Sequence, residues 1–393
     1  MFNFRSIKHG CYLPLLERYL LQKLSWFFLF SVCLLTSMGV AIGTVSDLVY
    51  KVSEYGLPLS VAIRIFGYKI PEYAAYALPI STLLTSLVVY GRLNSDRELV
   101  ALFSFGVGYY RIVVPALLFS LAITLITFLL NESIVPAANF QANLLQNPFI
   151  PKTELNLQQH DIFYAEYQPR KINGAGKKLE YLYFARQYKA PEFKEIIVVN
   201  FDGGNVERVI TASSARWNRQ QQVWHLTDGK IDRFNSNDEQ SIVEESEVTS
   251  ISLPNTLFEI ASQERSPEDM NIQQVKKYLK AIANSGNPRE IAKFAVRIEQ
   301  KYAFPFICVV FALIGSALSI RYEHNRAKSF GLCVAIAFGY YCLGFIIGAL
   351  GITGIVSPFW AAWLPNAIGA IAGIYLLSFG ELSFFDRTLG KIF

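Results

Sequence analysis

A chain of 393 residues with 52% hydrophobic and only 17% charged side chains is too apolar for an ordinary soluble protein, in which about a quarter of residues are charged. Its net charge of +5 resides in the apolar parts, since the stretch 132–297 is close to neutral, and a basic face for nucleic acid is excluded. Of five cysteines, Cys33, Cys308, Cys333 and Cys342 lie in apolar runs and Cys11 in the N-terminal tail, the placement of small buried hydrophobes rather than of a disulfide framework or metal site.

Arg5, Lys8, Arg18 and Lys23 precede an uncharged run over 24–46. At 1.5 Å per residue that run crosses ~30 Å of hydrocarbon, and it is too long and begins too late for a cleavable signal peptide. Residues 47–72 are mildly amphipathic, with Leu57, Val61, Ile65 and Phe66 on one side. They are expected to lie along the outer interface until Pro71 opens the second span. The cations of this zone, Lys51, Arg64 and Lys69, fit two readings: snorkelling to lipid headgroups, or holding phosphates of an anionic lipid at the mouth of a cavity.

Uncharged runs at 73–91 and 112–131 supply the second and third spans. Between them LNSDRELVALFSFG, residues 93–106, predicts a helix too short to cross a bilayer. Ser95 is its candidate N-cap with Glu98 three residues on, Gly106 suits the position after its end, and Leu99, Leu102 and Phe103 share one face. That face suits a groove on another protein, or packing against the neighbouring spans.

From about 136 to 263 the pattern turns to short alternating runs, at 161–167, 179–188, 194–201, 206–212, 222–227 and 231–234. Asn173-Gly174, Asp202-Gly203-Gly204 and Asp228-Gly229 are the turn signals between them. Several antiparallel strands in about 130 residues predict a β-sandwich or jelly roll, with Phe163, Tyr181, Tyr183 and Phe201 as inward bulk. Ser266-Pro267-Glu268-Asp269 then opens a polar helix to about residue 284, and a second helix from Pro288 runs into a fourth span at 302–320. Nothing from 329 to 380 is charged, room for two more spans with a turn at Gly354, Ser357 and Pro358.

The predicted fold class is therefore an α-helical polytopic membrane protein of about six spans, three plus three, with an inserted all-β domain. Its parts are a first transmembrane half at 1–135, the β-domain at 136–265, a helical connector at 266–300 and a second transmembrane half at 301–393. Positive charge marks the N-terminal tail, the loop with Arg92, Arg97 and Arg111, and the loop with Arg321, Arg326 and Lys328 as cytoplasmic. Both termini are then inside and the β-domain outside.

No catalytic constellation emerges. Gly174-Ala175-Gly176-Lys177-Lys178 lacks the spacing and the Ser/Thr of a phosphate-binding loop, and His9, His160, His225 and His324 are scattered without metal-ligand spacing. No GxSxG elbow occurs, and no span carries a charge at mid-depth, which argues against an ion-coupled carrier. The spans do carry small-residue pairs, Gly39/Gly43, Gly344/Gly348 and Gly369/Gly373, which serve either static packing or seams that open sideways.

Four stretches carry a family likeness: GVAIGTVSDLVYKV, LPISTLLTSLVVYGRLNSDRELVALFSFGV, NESIVPAANFQA and KYAFPFICVVFALIGSALS. With the three-plus-three order around a β-domain, they resemble the LptF/LptG permeases of lipopolysaccharide export. The resemblance implies one permease subunit of an ABC transporter in the inner membrane, with its jelly-roll β-domain in the periplasm. It implies as partners a second permease subunit (self or a relative), a cytoplasmic ATPase dimer that binds the ATP, and a periplasmic bridge of similar jelly rolls. The cargo is lipopolysaccharide or a related large amphiphile, and the chain itself holds no cofactor. By the same resemblance residues 92–106 become the coupling helix, with Arg92, Asp96, Glu98, Leu99, Leu102 and Phe103 at the ATPase contact. Lys51, Arg64 and Lys69 become lipid ligands, and Gly39, Gly43, Gly344 and Gly348 gate seams. The competing reading is a non-transporting membrane scaffold whose β-domain recruits partners.

Overall fold

Among the described residues, six helices are long and apolar enough to cross a membrane: Leu15–Tyr55, Leu59–Ser95, Tyr109–Gln146, Pro288–Arg321, Ala327–Ile352 and Pro358–Ser378. The computed structural model describes residues 15–146, 149, 160–168, 178–189, 192–202, 205–218, 223–234, 246–247, 250–251, 269–282, 288–321 and 326–389. The first half holds α1 (Leu15–Val40), a π turn (Ala41–Val45), α2 (Ser46–Tyr55), α3 (Leu59–Ser95), α4 (Glu98–Ser104), α5 (Tyr109–Leu129), a second π turn (Leu130–Ile134) and α6 (Val135–Gln146). After the strands come α7 (Ile272–Ile282), α8 (Pro288–Ala303), a 3₁₀ turn (Phe304–Phe306), α9 (Ile307–Arg321), α10 (Arg326–Ile352) and α11 (Pro358–Leu389). The expected class holds: a helical polytopic membrane protein with an antiparallel β-region inserted between its third and fourth spans.

The zone 47–72 departs from expectation. The first helix continues through its π turn to Tyr55 and reverses at Gly56, whose φ of 63° is left-handed. The second then runs unbroken for 37 residues, with Pro71 inside it rather than at its start. The amphipathic face is real but is covered by protein instead of headgroups. Leu57, Ala62 and Ile65 are buried with Leu48 of α2 and Ala142 of α6, and Val61 and Phe66 pack around them.

At the centre α3 and α9 nearly touch. A Cβ on Gly315 would lie 2.8 Å from the Ser86 Cβ and 3.1 Å from the Leu83 carbonyl oxygen, the approach that small residues permit between spans. Ser319 Oγ donates to the Leu87 carbonyl at 3.0 Å, and Asn94 Nδ2 to that of Ser319 at 3.0 Å. The most apolar windows of the second and fourth spans are 83% and 78% buried, against 22% and 17% for the first and fifth. The first and fifth spans thus stand at the margins, with their apolar surface turned outward.

In the β-region β1 (His160–Gln168), β2 (Lys178–Lys189), β3 (Glu192–Asp202) and β4 (Asn205–Asn218) form an antiparallel meander. The long β4 pairs with β5 (Val223–Thr227) at one end and with β6 (Lys230–Arg233) at the other. Short β7 (Ser246–Glu247) and β8 (Ser250–Ile251) extend β6 and β5. Asp228 makes its predicted turn at φ 54°. Tyr183 faces the core as expected and Tyr181 packs on its edge, but the bulk comes from Phe193 and Trp224, ring centroids 5.0 Å apart, over Ile196 and Val198. Phe201 is half-buried. The Phe163 side chain, Asn173-Gly174, Gly203-Gly204 and 266–268 lie outside the described residues.

Candidate functional site

Two ends of the bundle hold the residues of interest. At the end carrying the loop between the second and third spans, α4 has seven residues and no side-chain cap. Ser95 is still helical, the last residue of α3, so it cannot cap α4; Arg97, at φ 59°, occupies that position. Glu98 is instead held from the side. Its carboxylate accepts from Tyr19 Oη at 3.0 and 3.2 Å and from Lys23 Nζ at 3.1 and 3.4 Å, and the Lys23 ammonium lies 4.3 Å over the Tyr19 ring. The far end closes as sequence predicts. Gly106, at φ 78°, sends its N–H to the Phe103 carbonyl, and Val107 sends its own to that of Leu102, a Schellman motif.

The apolar face of α4 points into the bundle. Leu99 is fully buried among Leu20, Leu24, Tyr90, Leu93 and Ile112, with Leu102 and Phe103 packed on the rim. Phe103 stacks on Tyr109 at 4.4 Å, and Tyr90 Oη donates to the Ile112 carbonyl at 2.8 Å. As placed, these three residues anchor α4 rather than present it. The exposed large apolar side chains here are Val100 of α4 and Phe105 just past its end, beside an exposed Arg92–Asp96 pair at 3.4 Å. A groove of about 570 Å³ runs between α1 and α3, walled by Trp26, Phe30 and Val88, with Lys23 and Arg92 among its lining.

At the opposite end two of the three expected lipid ligands, Lys51 and Lys69, are already engaged. Lys51 Nζ donates to Asp47 Oδ2 at 2.6 Å and to Gln146 Oε1 at 2.8 Å. Gln146 continues to Asn143 at 2.6 Å, and Asn143 and Asn139 donate to the two carboxylate oxygens of Asp269 at 3.2 and 2.9 Å. The end of the first span remote from α4 is thereby linked to the segments that lead into and out of the β-region. Glu132 completes the joint by accepting the Ile272 N–H at 3.0 Å, while Asn271 and Gln274 form a reciprocal capping box on α7. Lys69 pairs with Glu72 at 2.9 Å, and Arg64 is exposed.

Beside this joint a cleft of about 520 Å³ is lined by all spans but the first. Its polar lining includes Glu72, Asn139, Arg297, Lys301 and Asn366, and its apolar lining Phe304, Ile307, Phe345 and Pro365. The 3₁₀ turn at Pro305 sends the Ile307 N–H to the Phe304 and Pro305 carbonyls. The Ala303 carbonyl instead accepts from Asn366 Nδ2 at 2.8 Å, and the Asn366 Oδ1 accepts from Tyr340 at 2.6 Å. Sequence patterning did not single out Arg297, Lys301, Asn139 or Tyr341. The signals were present: two cations four apart just before a span, and two asparagines four apart just after one.

The profile of the lipopolysaccharide export system permease family LptF/LptG matches residues 18–378. The chain belongs to this family. An uncharacterized protein of Rickettsia prowazekii (strain Madrid E) is 21% identical over 268 residues, covering 66% of this chain and 70% of that one. In this LptF/LptG permease the glycine pairs of the two marginal spans differ in what they face. A Cβ on Gly43 would collide with the Tyr73 ring, its Cζ at 2.7 Å, and one on Gly39 would reach the same ring at 3.1 Å. That pair is filled by a tyrosine of its own chain. Among the described residues Gly344 faces nothing within 4 Å, and Gly348 meets Gln300 Nε2 at 3.0 Å.

Proposed function

We propose that this LptF/LptG permease is one of two subunits, paired with itself or with a relative, that carry lipopolysaccharide or a related large amphiphile out of the inner membrane. In this reading the loop 92–106 faces the cytoplasm with both termini, the β-domain lies in the periplasm, and a separate ATPase dimer grips α4. ATP-driven closure of the dimer moves α4, and the spans packed on it move with it. The amphiphile is expelled toward the β-domain and a periplasmic jelly-roll bridge, on a route that keeps its chains from water at about 0.8 kcal/mol per CH₂.

The observation that carries this reading is the seat of α4. Leu99 sits in one buried cluster with Leu20 of α1, Tyr90 of α3, Ile112 of α5 and Leu313 of α9, so a push on seven residues reaches four spans at once. Glu98 couples from within, through Lys23 and Tyr19 of the first span, and Val100 and Phe105 offer the outward surface. Phosphates of the cargo are assigned to Arg297 and Lys301 of the cleft, with Lys69 beside it through Glu72, and with Lys51 able to exchange Asp47 for a phosphate. Gly344 and Gly348 are the better candidates for a seam with the second subunit, since Tyr73 already fills Gly39 and Gly43.

The test is Glu98→Lys in a complex reconstituted with its ATPase subunit. It sets two ammonium groups against each other at the seat, and lipid-stimulated ATP hydrolysis is expected to vanish while membrane insertion stays normal. Full stimulation in that variant, or no ATPase subunit copurifying with the wild-type chain in mild detergent, would favour the scaffold reading instead.

A further inference from the structure

The cleft is lined by two buried asparagines whose hydrogen bonding differs. Asn366, 6% exposed, has both ends of its amide engaged, Nδ2 on the Ala303 carbonyl and Oδ1 on the Tyr340 hydroxyl. Asn139, 2% exposed, has only one: Nδ2 donates to Asp269 Oδ1 at 2.9 Å, while Oδ1 has no partner among the described residues. The orientation of that amide follows from chemistry. An ionised carboxylate can only accept, so the NH₂ must face Asp269 and the carbonyl oxygen must face away. Tyr341, also in the lining, has a buried hydroxyl without a partner among the described residues. A buried acceptor left unmatched carries a desolvation cost, one that a hydroxyl brought into the cleft would remove.

We propose that Asn139 is a specificity-determining residue, whose Oδ1 accepts a hydroxyl of the cargo headgroup, with Tyr341 Oη as a second contact. The inference rests on the cleft being the seat of the amphiphile, and it adds what the seat distinguishes. Arg297 and Lys301 attract any phosphate; Asn139, held by Asp269, favours a phosphorylated headgroup that also bears hydroxyls. Asp269 acts as its positioning residue, since without the carboxylate the amide is free to turn.

The test is equilibrium binding to the purified full-length chain, by native mass spectrometry, of two probes: lipid A, a phosphorylated sugar lipid with free hydroxyls, and phosphatidic acid, which has the phosphate alone. Asn139→Leu is expected to weaken lipid A by about tenfold, one hydrogen bond, and to leave phosphatidic acid unchanged. Tyr341→Phe keeps the ring and is expected to give a smaller loss in the same direction, which covers the case in which Asn139→Leu fails to fold. Equal losses for both lipids, or an unchanged preference in the folded variants, would overturn the proposal. Arg297→Gln separates it from the reading beneath: weaker binding of both lipids upholds the cleft as the seat, and no change in either would sink the seat and the proposal together.

Discussion

The two ends of the membrane bundle are built on opposite terms. Around α4 the large side chains Leu20, Tyr90, Leu93, Leu99 and Ile112 are essentially inaccessible, and Tyr90, Asn94, Glu98 and Ser319 each have a hydrogen-bond partner. The groove of about 570 Å³ at this end is confined to α1 and α3. At the other end both π turns interrupt the helices, and a cleft of about 520 Å³ reaches among five spans, where Asn139 and Tyr341 keep oxygens unmatched among the described residues. A close-packed interior has low compressibility and passes displacement on without absorbing it. An end with room and unmatched polarity can instead change its contents. On the proposed function, transmission belongs to the first end and reception to the second.

The largest expected effect comes from emptying the packed end. Leu99→Ala should cost about 2–5 kcal/mol, the usual range for a core leucine whose surroundings cannot collapse, and should appear as a lower thermal midpoint of the full chain in detergent. Phe345→Ala in the cleft lining removes a larger side chain, but one that is 79% exposed, and should stay within about 0.5 kcal/mol. Similar losses in the two variants would erase the contrast.

Next come the glycines of the marginal spans. Gly43→Ala forces the Tyr73 ring off both Gly43 and Gly39, and overpacking of this kind costs about 1–3 kcal/mol. Gly344→Ala points a methyl into open space, so its thermal midpoint should match wild type. If Gly344 forms a seam with a second subunit, the same variant should slow lipid export in the assembled complex without loss of stability. A destabilised Gly344→Ala would mean that this face is closed within one chain.

How far these features were legible in the sequence depends on whether the deciding signal is local. The six spans, the Gly106 helix stop and the Asp228 turn are set by runs and by single residues with special backbone freedom, and they were readable. So was the shared face of Leu99, Leu102 and Phe103, since it follows from helical spacing. Its direction was not, because a stripe of apolar residues does not say whether its cover is the same chain or another. The engagement of Lys51 by Gln146, 95 positions away, and the joining of Asn139 and Asp269 across the whole β-region are products of tertiary assembly. No window of sequence contains both partners.

The smallest expected effect tests whether the packed end is held by packing or by charge. The Lys23 and Glu98 side chains are 33% and 36% exposed, and pairs of this exposure contribute at most about 1 kcal/mol. Lys23→Met keeps an unbranched stem over the Tyr19 ring and leaves Glu98 its hydrogen bond from Tyr19. Its thermal midpoint should fall slightly in dilute buffer and rejoin wild type near 1 M salt, where the screening length is about 3 Å. A loss as large as that of Leu99→Ala, or one that salt leaves untouched, would mean that the ion pair and not the apolar cluster seats α4. The push on it would then reach the first span alone, and the two ends of the bundle would no longer divide their work as packing implies.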